Sequence, residues 1–249
     1  MHLLEGFSLG PTAKKKLDTS VPIKISAYKF LHKEDIYYWM EEETIKIDSL
    51  FSFSSQENTG GVGDPFELEI AGIPVFVDDP SDSKNKLVVN NLRSLGMADL
   101  KGGYDTTVKF TVQRKNRFIY CMSSVVNEQL CKKWQEKEGY DAVIKINDIA
   151  FFIRAIQFAD YHGQRLLGGA AVFDWVEYVD MPIDLSIVDL TEYKFIKEKC
   201  SFKWQKEIRL SWPNGPKNDN KPYYLHIPNL SDYVEVMDIP NSWLNNRNT

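Results

Sequence analysis

Residues 204–210 read Trp204-Gln205-Lys206-Glu207-Ile208-Arg209-Leu210 and constrain the fold more than any other stretch. Their alternation predicts a strand over 203–212, stopped by Pro213, which has no N–H to give a ladder. Side chains two apart on a strand share a face. Trp204, Ile208 and Leu210 then point one way, with Lys206 as an intruder. Gln205, Glu207 and Arg209 point the other way. The apolar face calls for a core beneath the strand. The opposite face sets an amide, a carboxylate and a guanidinium in a row. On spacing alone, Glu207 and Arg209 also read as an exposed pair worth little to stability.

Three further segments carry chemistry-bearing side chains. Ala27-Tyr28-Lys29-Phe30-Leu31-His32 sets a phenol and a cation at the end of a first strand, 23–30, ahead of a helix over 33–43. Backbone donors at a helix start suit phosphates, although a half-buried tyrosine fits Tyr28 as well. Ile119-Tyr120-Cys121-Met122-Ser123-Ser124 ends a strand in two hydroxyls. Ser123 or Ser124 reads as a helix cap, or as a hydroxyl on the floor of a cleft. Gly61-Val62-Gly63-Asp64-Pro65-Phe66-Glu67 is a loop stiffened by proline. It either covers a ligand or simply turns the chain.

The remaining pattern predicts strands over 44–49, 106–112, 117–122, 142–146, 172–178, 223–227 and 233–237. Residues 106–112 and 117–122 read as a hairpin. Helices are predicted over 90–100, 125–136, 149–159 (with Phe152, Ile156 and Phe158 buried) and 190–199. Strands outnumber helices, so the expected class is α+β with a mostly antiparallel core. Residues 1–22 read as a loosely held lead-in, 23–240 as one domain and 241–249 as a polar tail.

Composition narrows the function classes. Thirty basic residues against 35 acidic ones leave a net charge of −5, so bulk attraction to nucleic acid is excluded while a local basic track is not. Lys14 to Lys16, Lys132-Lys133 and Lys194 to Lys203 are candidates for such a track, with Tyr193 and Trp204 available for stacking. Cys121, Cys131 and Cys200 are three widely spaced thiols, expected to be free in a reducing cytoplasmic compartment. No His or Cys spacing suggests a metal, and no apolar run suggests a membrane helix or a signal peptide.

In order along the chain, Tyr28-Lys29-Phe30, Gly63-Asp64-Pro65-Phe66-Glu67, Ser123, Trp134, Val176-Glu177-Tyr178 and Gln205-Lys206-Glu207-Ile208-Arg209 form a series. This series resembles a family of uncharacterised bacterial and phage proteins carrying Tyr-Lys-Tyr, Asn-Asp-Pro-Phe-Glu and Glu-x-Glu-x-Arg motifs, itself similar to the ADP-ribosyltransferase superfamily. Gly63 stands where asparagine is usual, and Tyr28 where many superfamily members have arginine or histidine.

The resemblance implies an ADP-ribosyltransferase-like fold, a mostly antiparallel split sheet with flanking helices. It implies NAD as co-substrate and transfer of ADP-ribose to a macromolecular acceptor, nucleic acid (RNA or DNA) ahead of protein, by a toxin or defence effector that an antitoxin neutralises. Glu207, Gln205 and Ser123 are then the catalytic set. Tyr28, Lys29, Phe30, Asp64 and Phe66 are the implied NAD contacts. An NAD glycohydrolase, or an inactive binding module on the same fold, is the alternative.

Overall fold

The computed structural model of the chain describes residues 7–17, 24–50, 52, 69–71, 75–77, 81–94, 104–108, 111–113, 116–180, 182–186, 195–212 and 221–244. Asp64 and Phe66 lie outside these, as do the 61–67 loop, Tyr193 and Lys194.

The chain opens with strand β1 (Phe7–Leu9) and helix α1 (Pro11–Lys16), followed by β2 (Ala27–Leu31), α2 (Ile36–Met40) and β3 (Thr44–Ser49). Next come β4 (Glu69–Ala71), β5 (Val75–Val77), α3 (Lys86–Ser94), β6 (Tyr104–Val108) and β7 (Thr111–Gln113). The central run is β8 (Phe118–Ser123), α4 (Glu128–Glu138), β9 (Ala142–Ile146), α5 (Ile149–His162) and β10 (Ala171–Trp175). The chain closes with β11 (Glu177–Val179), β12 (Ile196–Glu198), α6 (Lys199–Phe202), β13 (Glu207–Trp212), β14 (Tyr223–His226) and β15 (Val234–Val236).

The fold is mixed α/β around a mostly antiparallel nine-stranded sheet, ordered β1-β10-β13-β8-β2-β9-β15, with β3 and β14 branching off β8. The branch positions the site. Strand β8 pairs along its whole length with β13, from Glu207↔Ser123 to Trp212↔Phe118. On its other edge the end of β8 pairs with β2 (Tyr28↔Ser123), while its start pairs with β3 (Asp48↔Ile119, Ser49↔Phe118). The sheet therefore divides between β2 and β3, and a cleft opens there.

One face of the sheet is covered by α5. Asp148 caps this helix by accepting from the Ala150 N–H at 2.9 Å. Ile149, Phe152, Ile153 and Ile156 recur at helical spacing and are buried against Trp39, Tyr120, Ile208 and Leu210. Phe158 is out of phase with that stripe and stands 64% exposed, contrary to the expectation that it is buried. The other face carries α4, which starts at the Asn127 cap and stops at Gly139, whose φ of 74° is left-handed.

Several expected boundaries shift. The lead-in is not loose over 7–16: β1 adds to the sheet edge parallel to β10, and Ala13 in α1 is fully buried. Trp243, expected in the polar tail, packs against the Phe30 cluster. The expected hairpin does not form. Strand β7 pairs with β4 and β6 with β5, while β8 joins β13, because the apolar β8 is worth more in the central sheet than beside a polar neighbour. Residues 196–198, expected as helix, form β12 alongside β11.

Candidate active site

The strand predicted over 203–212 begins only at Glu207. Lys203–Gln205 form a 3-10 turn, and Lys206 is left-handed (φ 49°, ψ 44°). Such a conformation costs a non-glycine residue about 1–2 kcal/mol. Two hydrogen bonds hold it in place, from Ser124 N (2.8 Å) and Ser124 Oγ (2.9 Å) to the Lys206 carbonyl. Beyond this break the predicted alternation holds. Ile208 and Leu210 enter the core, and Glu207 and Arg209 take the opposite face. That face is not exposed: Glu207 is 5% accessible and Arg209 1%, so the exposed-pair reading fails.

Glu207 is the electrostatic centre. Arg209 Nε donates to its Oε1 at 2.6 Å. Lys197 Nζ lies 2.9 Å from its Oε2 as an ion pair, and no aligned hydrogen bond to Oε2 forms among the described residues. Burial alone would raise this carboxyl. The Arg209 and Lys197 charges, with hydrogen bonds from Arg209 and the Cys121 thiol, override it and hold the group well below its ordinary range. The Glu207 backbone is fixed as well, its N–H donating to the Tyr178 hydroxyl at 2.9 Å. Burial, then the nearby Glu207 charge, push the Tyr178 phenol upward, so it stays protonated.

Gln205 is buried beside the carboxylate. Its Oε1 accepts from Lys197 Nζ at 2.9 Å, so one ammonium bridges the amide and the acid. Ser123 Oγ donates to the Gln205 carbonyl at 2.7 Å. The hydroxyl thus pins the turn that precedes Glu207, while Asn127 caps α4 in place of the two serines. Tyr28 stands next to Ser123 in register, and Ser123 next to Glu207. Three residues drawn from the start, middle and end of the chain therefore sit side by side on three adjacent strands.

Lys29 Nζ donates to the Cys121 carbonyl (3.0 Å) and lies over the Tyr120 ring. Phe30 stacks on Trp134 with centroids 5.7 Å apart. Trp134 also meets Tyr140 at 5.6 Å and Trp204 at 4.8 Å, building an aromatic wall. Burial pushes the Tyr140 phenol up to about 12. The Trp134 Nε1 donor has no partner among the described residues.

Tyr28, Lys29, Ser123, Trp134, Lys197 and Glu207 all line one cleft of about 200 Å³. Through Lys29, Phe30, Lys46, Asp48 and Tyr140 it continues into a second hollow of about 750 Å³, which reaches His32, Tyr38 and Tyr224 along the split between β2 and β3. Small-molecule sites span about 300–1,000 Å³. The joined cleft is large enough for an extended, dinucleotide-sized ligand, with cations partway along and an aromatic wall beside it.

Sequence reasoning did not single out Lys197, Tyr178 or Tyr140 for the site. Lys197 falls in a segment read as a lysine-rich helix, where a buried cation has no local signature. Comparison with protein families, curated proteins and solved structures finds no match to this chain.

Proposed function

We propose that the protein is an NAD-dependent mono-ADP-ribosyltransferase with an ADP-ribosyltransferase-like split sheet, acting on a macromolecular acceptor as a toxin or defence effector. One observation carries this reading: Tyr28, Ser123 and Glu207 are register neighbours at the point where the sheet divides. In the reaction, the bond from the nicotinamide nitrogen to the ribose C1′ breaks and its electron pair leaves with nicotinamide. The acceptor's nucleophile supplies the pair that closes the new bond and releases its proton to water. Glu207 Oε2 faces the cationic ribose between these events and accepts from a ribose hydroxyl. Lys29 and Lys197 suit the pyrophosphate, whose charge draws Lys197 away from the carboxylate. The Phe30–Trp134–Tyr140 wall offers a flat apolar surface to a base.

A second reading rests on Lys197 and Arg209. Two cations already neutralise Glu207, an arrangement that also suits a module that binds an anionic nucleotide without turning it over. Release of nicotinamide from NAD separates the two readings. Glu207→Gln is a poor probe by itself, because it strands two buried cations at a cost of about 3–5 kcal/mol. Glu207→Asp keeps the charge and withdraws the oxygens. The transferase reading expects nicotinamide release by the parent and a loss of at least about 100-fold in Glu207→Asp, measured under conditions where the variant is folded. A parent that binds NAD yet releases no nicotinamide, with or without cell extract, overturns it.

A further inference from the structure

Next to the Glu207 cleft lies a second recess of about 390 Å³, lined by Lys133, Lys199, Lys203 and Lys206 together with Trp204 and, among the described residues, by no carboxylate. The chain as a whole carries −5, so this concentration of cations does not follow from composition. Lys199 pairs with the exposed Asp180 at 3.1 Å. Lys133, Lys203 and Lys206 form no ion pair among the described residues.

The recess and the cleft share structure. Trp204 lines the recess, Trp134 lines the cleft, and their edge-on contact at 4.8 Å forms the partition between them. Trp204 is fixed by its Nε1–H, which donates to the Ser201 carbonyl at 2.7 Å, and Lys133 Nζ lies over its ring at 5.1 Å. The left-handed Lys206 performs the division. It places its own side chain on the recess while Gln205 and Glu207, on either side of it, line the cleft. The strain at Lys206, secured by Ser124, therefore turns three consecutive residues to two adjoining surfaces.

We infer that this recess holds the acceptor and that the acceptor is a single-stranded nucleic acid, its phosphates on Lys133, Lys203 and Lys206 and one base at the Trp204–Trp134 partition facing Glu207. The inference rests on the transferase reading only for the word acceptor; the binding itself does not. Lysines act on phosphate as point charges, whereas planar carboxylates are best matched by the arginine fork, and no arginine among the described residues lines the recess. Cations interleaved with an aromatic ring are the means by which single strands are held without sequence readout. An acidic polypeptide is the competing occupant.

The test is fluorescence anisotropy without NAD. The probes are labelled single-stranded DNA and RNA oligonucleotides of about 12 nucleotides, with polyglutamate of equal charge as a third. The triple variant Lys133→Gln/Lys203→Gln/Lys206→Gln is compared with Lys14→Gln/Lys15→Gln/Lys16→Gln, which removes the same charge from α1. The inference expects at least one oligonucleotide to bind the parent and the recess variant to bind it at least about tenfold more weakly. The slope of log affinity against log salt should fall by roughly 2, about 0.7 per lost phosphate contact, while the α1 variant stays within about twofold of the parent. Preference between the DNA and RNA probes then names the strand. Equal losses in the two variants, equal or tighter binding of polyglutamate, or no oligonucleotide binding by the parent would each overturn the inference. The nicotinamide-release assay stays independent, so failure here leaves the NAD reading standing, and the reverse holds too.

Discussion

Lys197 Nζ stands 2.9 Å from Glu207 Oε2 and 2.9 Å from Gln205 Oε1, so a single buried ammonium bridges the carboxylate and the amide of the site and fixes both. Its own place follows from β12, where Lys197 is the register partner of Tyr178. Tyr178 in turn accepts from the Glu207 N–H. Acid, amide, phenol and ammonium thus form one closed unit.

Replacing that ammonium changes the acid's titration. With Lys197→Met, Glu207 keeps Arg209 as its counter-charge but loses the second cation that opposes burial. Its carboxyl then titrates higher. The acidic limb of the pH profile of nicotinamide release should move upward by at least about one pH unit, the direction expected when an opposite charge is removed nearby. A limb that stays in place would mean that Glu207 is not the group being titrated in turnover.

The same carboxyl couples pH to stability. Its ordinary value is 4.5 and its folded value is about 2, because Arg209 and Lys197 outweigh burial. A depressed folded value means that the unfolded chain binds the proton first as pH falls. The contribution is complete above about 4.5 and is lost progressively down to about 2. One proton corresponds to a slope of at most about 1.4 kcal/mol per pH unit within the window, with stability falling as pH falls. Denaturant unfolding should show the parent losing stability over this range. Glu207→Gln, already destabilised, should show a slope shallower by up to that amount.

How far the site could be read in advance depended on how local each cause is. The short apolar run at 142–146, buried at all positions but Lys145, forms its expected strand. The strand at 44–49 stands where alternation places it, since burial of every second residue is a local pattern. The opposed faces of Ile208 and Glu207 follow from the same rule. The break at Lys206 was hidden because Trp204 and Gln205 continue the alternation in phase. Only the pairing of Ser124 with the Lys206 carbonyl, 82 residues away, reveals it. Lys197 was illegible for a similar reason. Its cost of burial is met by Glu207 and Gln205, which the sheet, not the neighbouring sequence, brings to it.

Ser123 has become a positioning residue. Its Oγ is buried and spent on the Gln205 carbonyl. Ser123→Ala leaves that carbonyl without its hydroxyl partner, at a cost of about 1–3 kcal/mol. Loosening the turn before Glu207 should lower kcat for nicotinamide release more than it raises KM for NAD. Ser123→Cys, which keeps a weak donor, should recover part of the loss. A change confined to KM would instead make the hydroxyl a direct ligand contact.

The attachment of α1 gives a final prediction far from the cleft. Asp174 is buried in β10, and its carboxylate accepts from the N–H groups of Ala13 (2.6 Å), Thr12 (3.3 Å) and Trp175 (2.8 Å). Burial raises this carboxyl, and the backbone donors counter the rise. Gly10 lies directly against it, and a Cβ at Gly10 would overlap the carboxylate. The carboxylate cannot retreat without giving up its backbone donors. Gly10→Ala should therefore destabilise the fold by about 1–3 kcal/mol through overpacking, although alanine suits the backbone angles there (φ −71°). Asp174→Ala leaves the start of α1 without its acceptor and should cost a similar amount. Because the overlap needs the carboxylate, the double variant should lose less than the sum of the two. Additive losses in a double-mutant cycle would show that the two residues do not meet.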